Sequence, residues 1–143
     1  VFLKNVLAAL AVGGVLVGCA ASGDRMVRAD DLRNDNYLVT DTVISDLDFP
    51  SLQRNLFQHR AACGSAPRFV MHEGETAYAS LIETADTPES YENVVIADLI
   101  QYPESWRAPV RVAISFYSYY INDDIKQRVD AMLNAVRQPG NCM

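Results

Sequence analysis

His59 and His72 are the two histidines of the chain, the first residues to weigh for acid–base or metal chemistry. His72 opens the stretch His72-Glu73-Gly74-Glu75-Thr76, which starts like a zinc-protease helix but has Thr76 where the second histidine must stand. That chemistry needs two imidazoles four residues apart on one helical face, so the ligand set is incomplete. Gly74 between two glutamates reads as a hairpin turn. A metal site from His72, Glu73 and Glu75 therefore competes with a plain polar turn, and the turn is preferred. A serine–histidine–aspartate arrangement draws on residues distant in sequence. No Gly-x-Ser-x-Gly elbow marks a nucleophile. Gly13-Gly14 fall in an apolar leader and the other glycines stand alone, so no phosphate loop is present. Asp123-Asp124 reads as a helix start rather than a calcium pair. Without a Cys-x-x-Cys motif, thiol–disulfide chemistry is not expected. The expectation is a chain with no catalytic residues, no metal and no cofactor.

The elements that would position these groups follow from periodicity. Residues 38–49 contain Val39, Val43, Ile44 and Leu47 with Thr40 and Thr42 between them, a candidate edge strand. Asp48-Phe49-Pro50 is a helix start, since proline is tolerated in the first turn and aspartate suits the positive end of the dipole. Leu52, Leu56, His59 and Cys63 share one face, Phe57 extends it, and Gly64 stops the helix, placing it over residues 50–62. Short strands are expected at residues 68–72 and 76–84. A third covers residues 93–102, interrupted by Asp98. Residues 103–109 carry two prolines that deny ladder bonds, so they form a loop. Val110, Val112, Ile114 and Phe116 alternate with Arg111, Ala113 and Ser115 in the clearest half-buried strand, reaching about residue 120. Asn122 caps a last helix whose apolar face is Ile121, Ile125, Val129, Met132 or Leu133, and Val136. Gln138-Pro139-Gly140 ends it. The sum is an α+β fold. It is a two-layer sandwich of an antiparallel sheet of about four strands, with a candidate fifth at the edge, covered on one face by two helices.

The aromatic residues after position 101 suggest binding. Phe116 and Tyr120 share one face of the last strand, Tyr117 and Tyr119 the other. If helices cover the first face, the second presents Tyr117 and Tyr119, with Trp106 on a nearby loop. Tyrosine and tryptophan supply large contact area at low entropic cost, so these three are the candidate partner contact. The alternative is that they pack over the far side of the sheet.

The beginning of the chain carries Lys4 and then the apolar residues 6–17. As a helix that run spans about 18 Å, against a hydrocarbon core of about 30 Å, which is the length of a signal-peptide core. It ends in Leu16-Val17-Gly18-Cys19. Here the chain resembles bacterial lipoprotein precursors, whose four-residue lipobox is matched at every place. The resemblance covers the first 19 residues and implies no fold for the rest. It implies that residues 1–18 are a signal peptide and that Cys19 becomes the mature N-terminus. Cys19 would carry a thioether-linked diacylglycerol and an N-acyl chain. Two or more chains give stable anchoring. Ala20 follows Cys19 where an aspartate would favour the inner membrane. By the same resemblance the protein would sit on the inner leaflet of the outer membrane and face the periplasm. Residues 19–37, small and charged after the cysteine, read as the lipidated cysteine and a flexible tether of root-mean-square reach about 25 Å. A short helix around residues 26–32 is the competing reading. Residues 38–143 would form one periplasmic domain.

With Cys19 lipidated, Cys63 and Cys142 remain, and an even pair in an exported protein reads as a disulfide. Two free thiols are the alternative. The topology resists the pairing. With one helix up, four antiparallel strands and the last helix down, Cys63 and Cys142 fall at opposite ends unless a strand is miscounted, the helices cross steeply or the tail after Arg137 runs back. Losing Lys4 takes 12 basic residues to 11 against 18 acidic, near −7. That charge excludes nonspecific nucleic-acid binding and gives no attraction to anionic lipid heads, so acyl chains must do the anchoring. The expectation is a membrane-anchored, non-enzymatic accessory or adaptor in a cell-envelope assembly, with an envelope protein as partner. In layout alone it is similar to small outer-membrane lipoproteins that plug or support larger assemblies, including the lipopolysaccharide-transport type. The rival is a carrier or sensor of a small apolar ligand held between sheet and helices.

Overall fold

The computed structural model describes residues 26–143, so the apolar leader, the lipobox and Cys19 lie outside the described residues. Five strands form one antiparallel sheet in the order β1-β5-β4-β3-β2. They are β1 Leu38–Ser45, β2 Arg68–Met71, β3 Tyr78–Ile82, β4 Ile96–Tyr102 and β5 Arg111–Tyr117. Two long helices, α2 Phe49–Cys63 and α3 Asp123–Arg137, cover one face, and a short α1, Ala29–Leu32, precedes the sheet. The α+β sandwich with a fifth strand at the edge is the observed architecture. Among the described residues no helix is long and apolar enough to cross a membrane.

Each helix starts where a side chain satisfies a free N–H. Asp48 Oδ1 accepts from the Ser51 N–H at 2.8 Å and Asn122 Oδ1 from the Ile125 N–H at 3.0 Å. Gly64 ends α2 in the left-handed region, φ 84°, where a side chain would be strained. Alternation then selects the dry face. Val112, Ile114 and Phe116 of β5, Leu99 of β4 and Leu81 of β3 are buried against Leu52 and Leu56 of α2 and Val129, Met132 and Val136 of α3. Phe57 does not extend this stripe. It lies one residue past Leu56, about 100° round the helix, and is 75% exposed.

Cys63 and Cys142 are joined, with Cα atoms 5.5 Å apart. The topological objection is met by the tail, with the strand count intact. Asn55 Nδ2 donates to the Val136 carbonyl at 2.7 Å, and His59 Nδ1 lies 3.1 Å from the Pro139 carbonyl. Cys142 then meets Cys63. Partners advancing together along both segments mean that the chain after Arg137 turns back and runs alongside α2 in the direction of α2 itself.

The expected tether is cut short. Residues 26–37 form a strap across the second face of the sheet, at the end where Ile82, Ile96 and Tyr117 stand in register. Leu32 is 0% exposed there, against Ile82, Val94 and Ile96. The strap is tied by Tyr91 N–H to the Val27 carbonyl at 2.8 Å and by Ser118 N–H to the Tyr37 carbonyl at 3.0 Å. The last bond ends β5 at Tyr117, three residues earlier than alternation implies.

Candidate functional site

Among the described residues the β4–β5 connection carries the most exposed large hydrophobic side chain. Pro103 and Pro109 flank a tight turn in which Ser105 N–H donates to the Ala108 carbonyl at 2.9 Å and Ala108 N–H returns the bond at 3.3 Å. Ser105 Oγ also accepts from the Arg107 N–H at 3.3 Å. This braced turn holds Trp106 outward, 87% exposed. The Arg107 guanidinium carbon stands 4.3 Å from the Trp106 ring centre, and that of Arg111 stands 4.8 Å from the Tyr102 ring centre. Among the described residues neither arginine pairs with a carboxylate. A rigidly presented tryptophan loses little entropy on binding, which is the property of an interface anchor.

Register extends this tip into a surface. On the second face Tyr78, Ile100, Ala113 and Val43 are successive neighbours across β3, β4, β5 and β1. Tyr102, Arg111 and Ser45 form the next row toward the turn. Val43 is 56% exposed, and Tyr78 and Tyr102 are exposed too. The strap stops short of these rows, so half of the second face is dry under Leu32 and the other half is bare. Tyr78, Val43 and Tyr102 escaped the sequence reading because sharing one face of the sheet across separate strands is a property of register alone.

The two tyrosines expected beside Trp106 lie elsewhere. Tyr117 is half-buried in the strap cluster with Leu32. Tyr119 stacks on Tyr37 at 5.4 Å and meets Tyr120 edge-on at 5.1 Å. Both sit at the strap end of β5, whereas Trp106 follows the opposite end of β4. The six residue steps of β4 separate them by about 20 Å. The alternating faces projected to residue 120 fail because β5 stops at Tyr117. Tyr119 instead lines a recess of about 690 Å³ with Met26, Asn34 and Glu92. Tyr120 donates to Glu92, and that bond raises its phenol above the ordinary value.

Three residues with chemical potential do meet on the second face. Ser80 Oγ donates to Asp98 Oδ1 at 3.2 Å and lies 2.8 Å from His72 Nε2. Arg33 of the strap straddles Asp98 through Nε, 2.9 and 3.0 Å from its two oxygens, and donates to Ser80 through Nη2 at 3.2 Å. The cluster differs from a hydrolytic triad. The carboxylate accepts the hydroxyl's hydrogen bond directly, which leaves His72 Nε2 to donate to Ser80 Oγ, and Ser80 is only 4% exposed. Its effect is to fasten the strap, because Arg33 finds its carboxylate across the sheet. Asp98, which looked like an interruption of a strand, is that anchor.

His59 is a structural ligand of the tail through Pro139, and Asp123 and Asp124 pair with Lys126 and Arg128 along the first turns of α3. Among the described residues no three of His, Cys, Asp and Glu gather into an ion site.

Fold and surface thus define an α+β sandwich whose second face is half strapped and half bare, with a braced tryptophan at the bare end. The chain matches no protein-family model, no curated protein and no solved structure.

Proposed function

We propose that this chain is a lipid-anchored, periplasm-facing lipoprotein of the bacterial envelope, acting as a non-enzymatic accessory or adaptor. Cys19 would hold it to the inner leaflet of the outer membrane through its acyl chains. An envelope protein partner would be met at Trp106 and the bare half of the second face. The observation that carries the adaptor reading is the braced, 87% exposed Trp106 at the end of a sheet face that also exposes Tyr102, Tyr78 and Val43. Polarity supports it. The described chain enters at Met26 and Val27, bonded to the loop before β4, and Trp106 lies beyond the far end of β4. Seven residue steps join Cys19 to Met26, so the domain would hang within about 25 Å of its anchor with Trp106 turned away from it. The surface would then meet a protein farther into the periplasm.

The apolar-ligand reading needs a chamber between sheet and helices. Between sheet and helices the core side chains already named pack against one another, which favours the adaptor.

The test uses the full chain expressed in a Gram-negative host. Labelled palmitate should enter the parent protein and not Cys19→Ser, which should leave the membrane fraction or remain unprocessed. A membrane-bound, processed Cys19→Ser protein overturns the anchor. Trp106→Ala should keep its unfolding midpoint and lose its in-cell crosslinks to a partner. Retained crosslinks would move the contact elsewhere.

A further inference from the structure

The margin between α2 and β2 is open, and it has the features of a strand-receiving site. β2 is the last strand of the sheet. The bond from the His72 N–H to the Tyr78 carbonyl, 3.2 Å, fixes its alternation. Counting back from that hydrogen-bonded pair, Val70 and Arg68 also bond to β3, while Phe69 and Met71 occupy the non-bonded positions. Their N–H and C=O groups face the free edge.

A groove of about 330 Å³ runs beside this edge, lined by Leu56, Phe57 and Arg60 of α2 and by Ala66, Arg68 and Phe69. Phe57 stands 75% exposed next to it. Arg60 and Arg68 join no ion pair among the described residues, and no aspartate or glutamate lines the groove. In a chain of net charge −6 this is a local cationic, apolar concavity. It opens along one side, which suits an extended chain better than a small molecule that must be enclosed. β1, the other edge, is longer but carries Asp41 at its middle.

We propose that the α2–β2 margin binds an extended acidic segment of a partner protein by strand addition. The segment pairs its backbone with Phe69 and Met71, lays an apolar side chain beside Phe57 and sets a carboxylate against Arg60 or Arg68. The inference is independent of Cys19 and of Trp106, and either reading can fail without the other.

The probe is a short capped peptide alternating glutamate and valine, with a lysine–valine peptide as control, titrated into the full chain and followed by amide NMR and hydrogen exchange. The Phe69 and Met71 amides should shift saturably and exchange more slowly with the acidic peptide only. Arg60→Gln should weaken binding about threefold. Phe57→Ser should weaken it about tenfold. Both side chains are exposed, so both variants should unfold like the parent. Salt at about 0.5 M should weaken binding further. No saturable binding overturns the proposal, as does equal binding of the lysine peptide. Shifts confined to α2 without protection at Phe69 and Met71 exclude strand addition, and protection along β1 alone assigns the peptide to the wrong edge.

Discussion

Leu32→Ala separates a strap from a tether. In a tether Leu32 is solvated and its truncation costs nothing beyond a surface substitution, about 0.5 kcal/mol at most. In the structure it is fully buried on the second face, against Ile82, Val94, Ile96 and Tyr117. Removing its branched end withdraws about 1.5–3 kcal/mol of apolar burial. The space left behind adds to this, and buried leucines lose about 2–5 kcal/mol on truncation to alanine. Only one layer of chain lies over Leu32, so the strap can partly close the gap, and about 2.5 kcal/mol is the expected loss. Equilibrium unfolding in urea by circular dichroism measures it. Met26→Ala serves as the control, because Met26 is exposed and should change stability little. Trypsin supplies a second readout. The Arg33 side chain is held by Asp98 and Ser80, so cleavage after it should be slow in the parent and fast in Leu32→Ala. A Leu32→Ala protein as stable as Met26→Ala, with Arg33 cut readily in both, would refute the strap and restore the tether through residue 37.

The Cys63–Cys142 bond closes a separation of 79 residues, which in the chain-entropy treatment corresponds to about 4.5 kcal/mol. The Cys63→Ser, Cys142→Ser protein should lose stability of that order in urea, and a loss below about 1 kcal/mol would mean that the tail bonds from Asn55 and His59 suffice. Asp48→Ala should cost about 1 kcal/mol at neutral pH through loss of the α2 cap, read from the urea midpoint. The Asp48 carboxylate is held below its ordinary value by its bonds to the Ser51 hydroxyl and N–H. Its contribution is therefore complete above its unfolded value, near pH 4, and lost as pH falls through the lower folded value. The gap between parent and Asp48→Asn should narrow on acidification below pH 4, and a gap that widens there would contradict the sign.

Both long helices were legible because their boundaries are written locally. Asp48-Phe49-Pro50, Gly64 and Asn122 each act within one turn, and the residues they bracket repeat at helical spacing. β5 was legible for the same reason, since alternation from Val112 to Phe116 is a local pattern. The strap was not. Leu32 is a single apolar residue among charges, and the residues that bury it are some 60 positions later. No window of sequence contains both partners. The same distance hid the polar network, since Ser80 and Asp98 face each other only once β3 and β4 are in register. Tyr119 was misplaced because the end of β5 depends on Tyr37 accepting from Ser118, a contact across the fold.

An antiparallel sheet with helices on one face must expose or cover the other. Here the row holding Ile82, Ile96 and Tyr117 is covered by the chain's own strap, and Arg33 reaches Asp98 in the row beyond. The strap then turns into β1 at Leu38, so it has no residues left to shield Tyr78, Ile100, Ala113 and Val43. Tyr78 and Val43 are exposed and face away from the helices, so polar residues there would cost the core nothing. Instead these positions place aromatic and aliphatic groups in a row across four strands, with Tyr102 standing between that row and the turn that carries Trp106. Exposed apolar groups gathered on one face and rimmed by polar residues mark an interaction site. The cover missing from this half of the sheet is what the proposed partner would supply, and Arg107 and Arg111, without carboxylates of their own, would favour a partner that brings acidic groups to the rim.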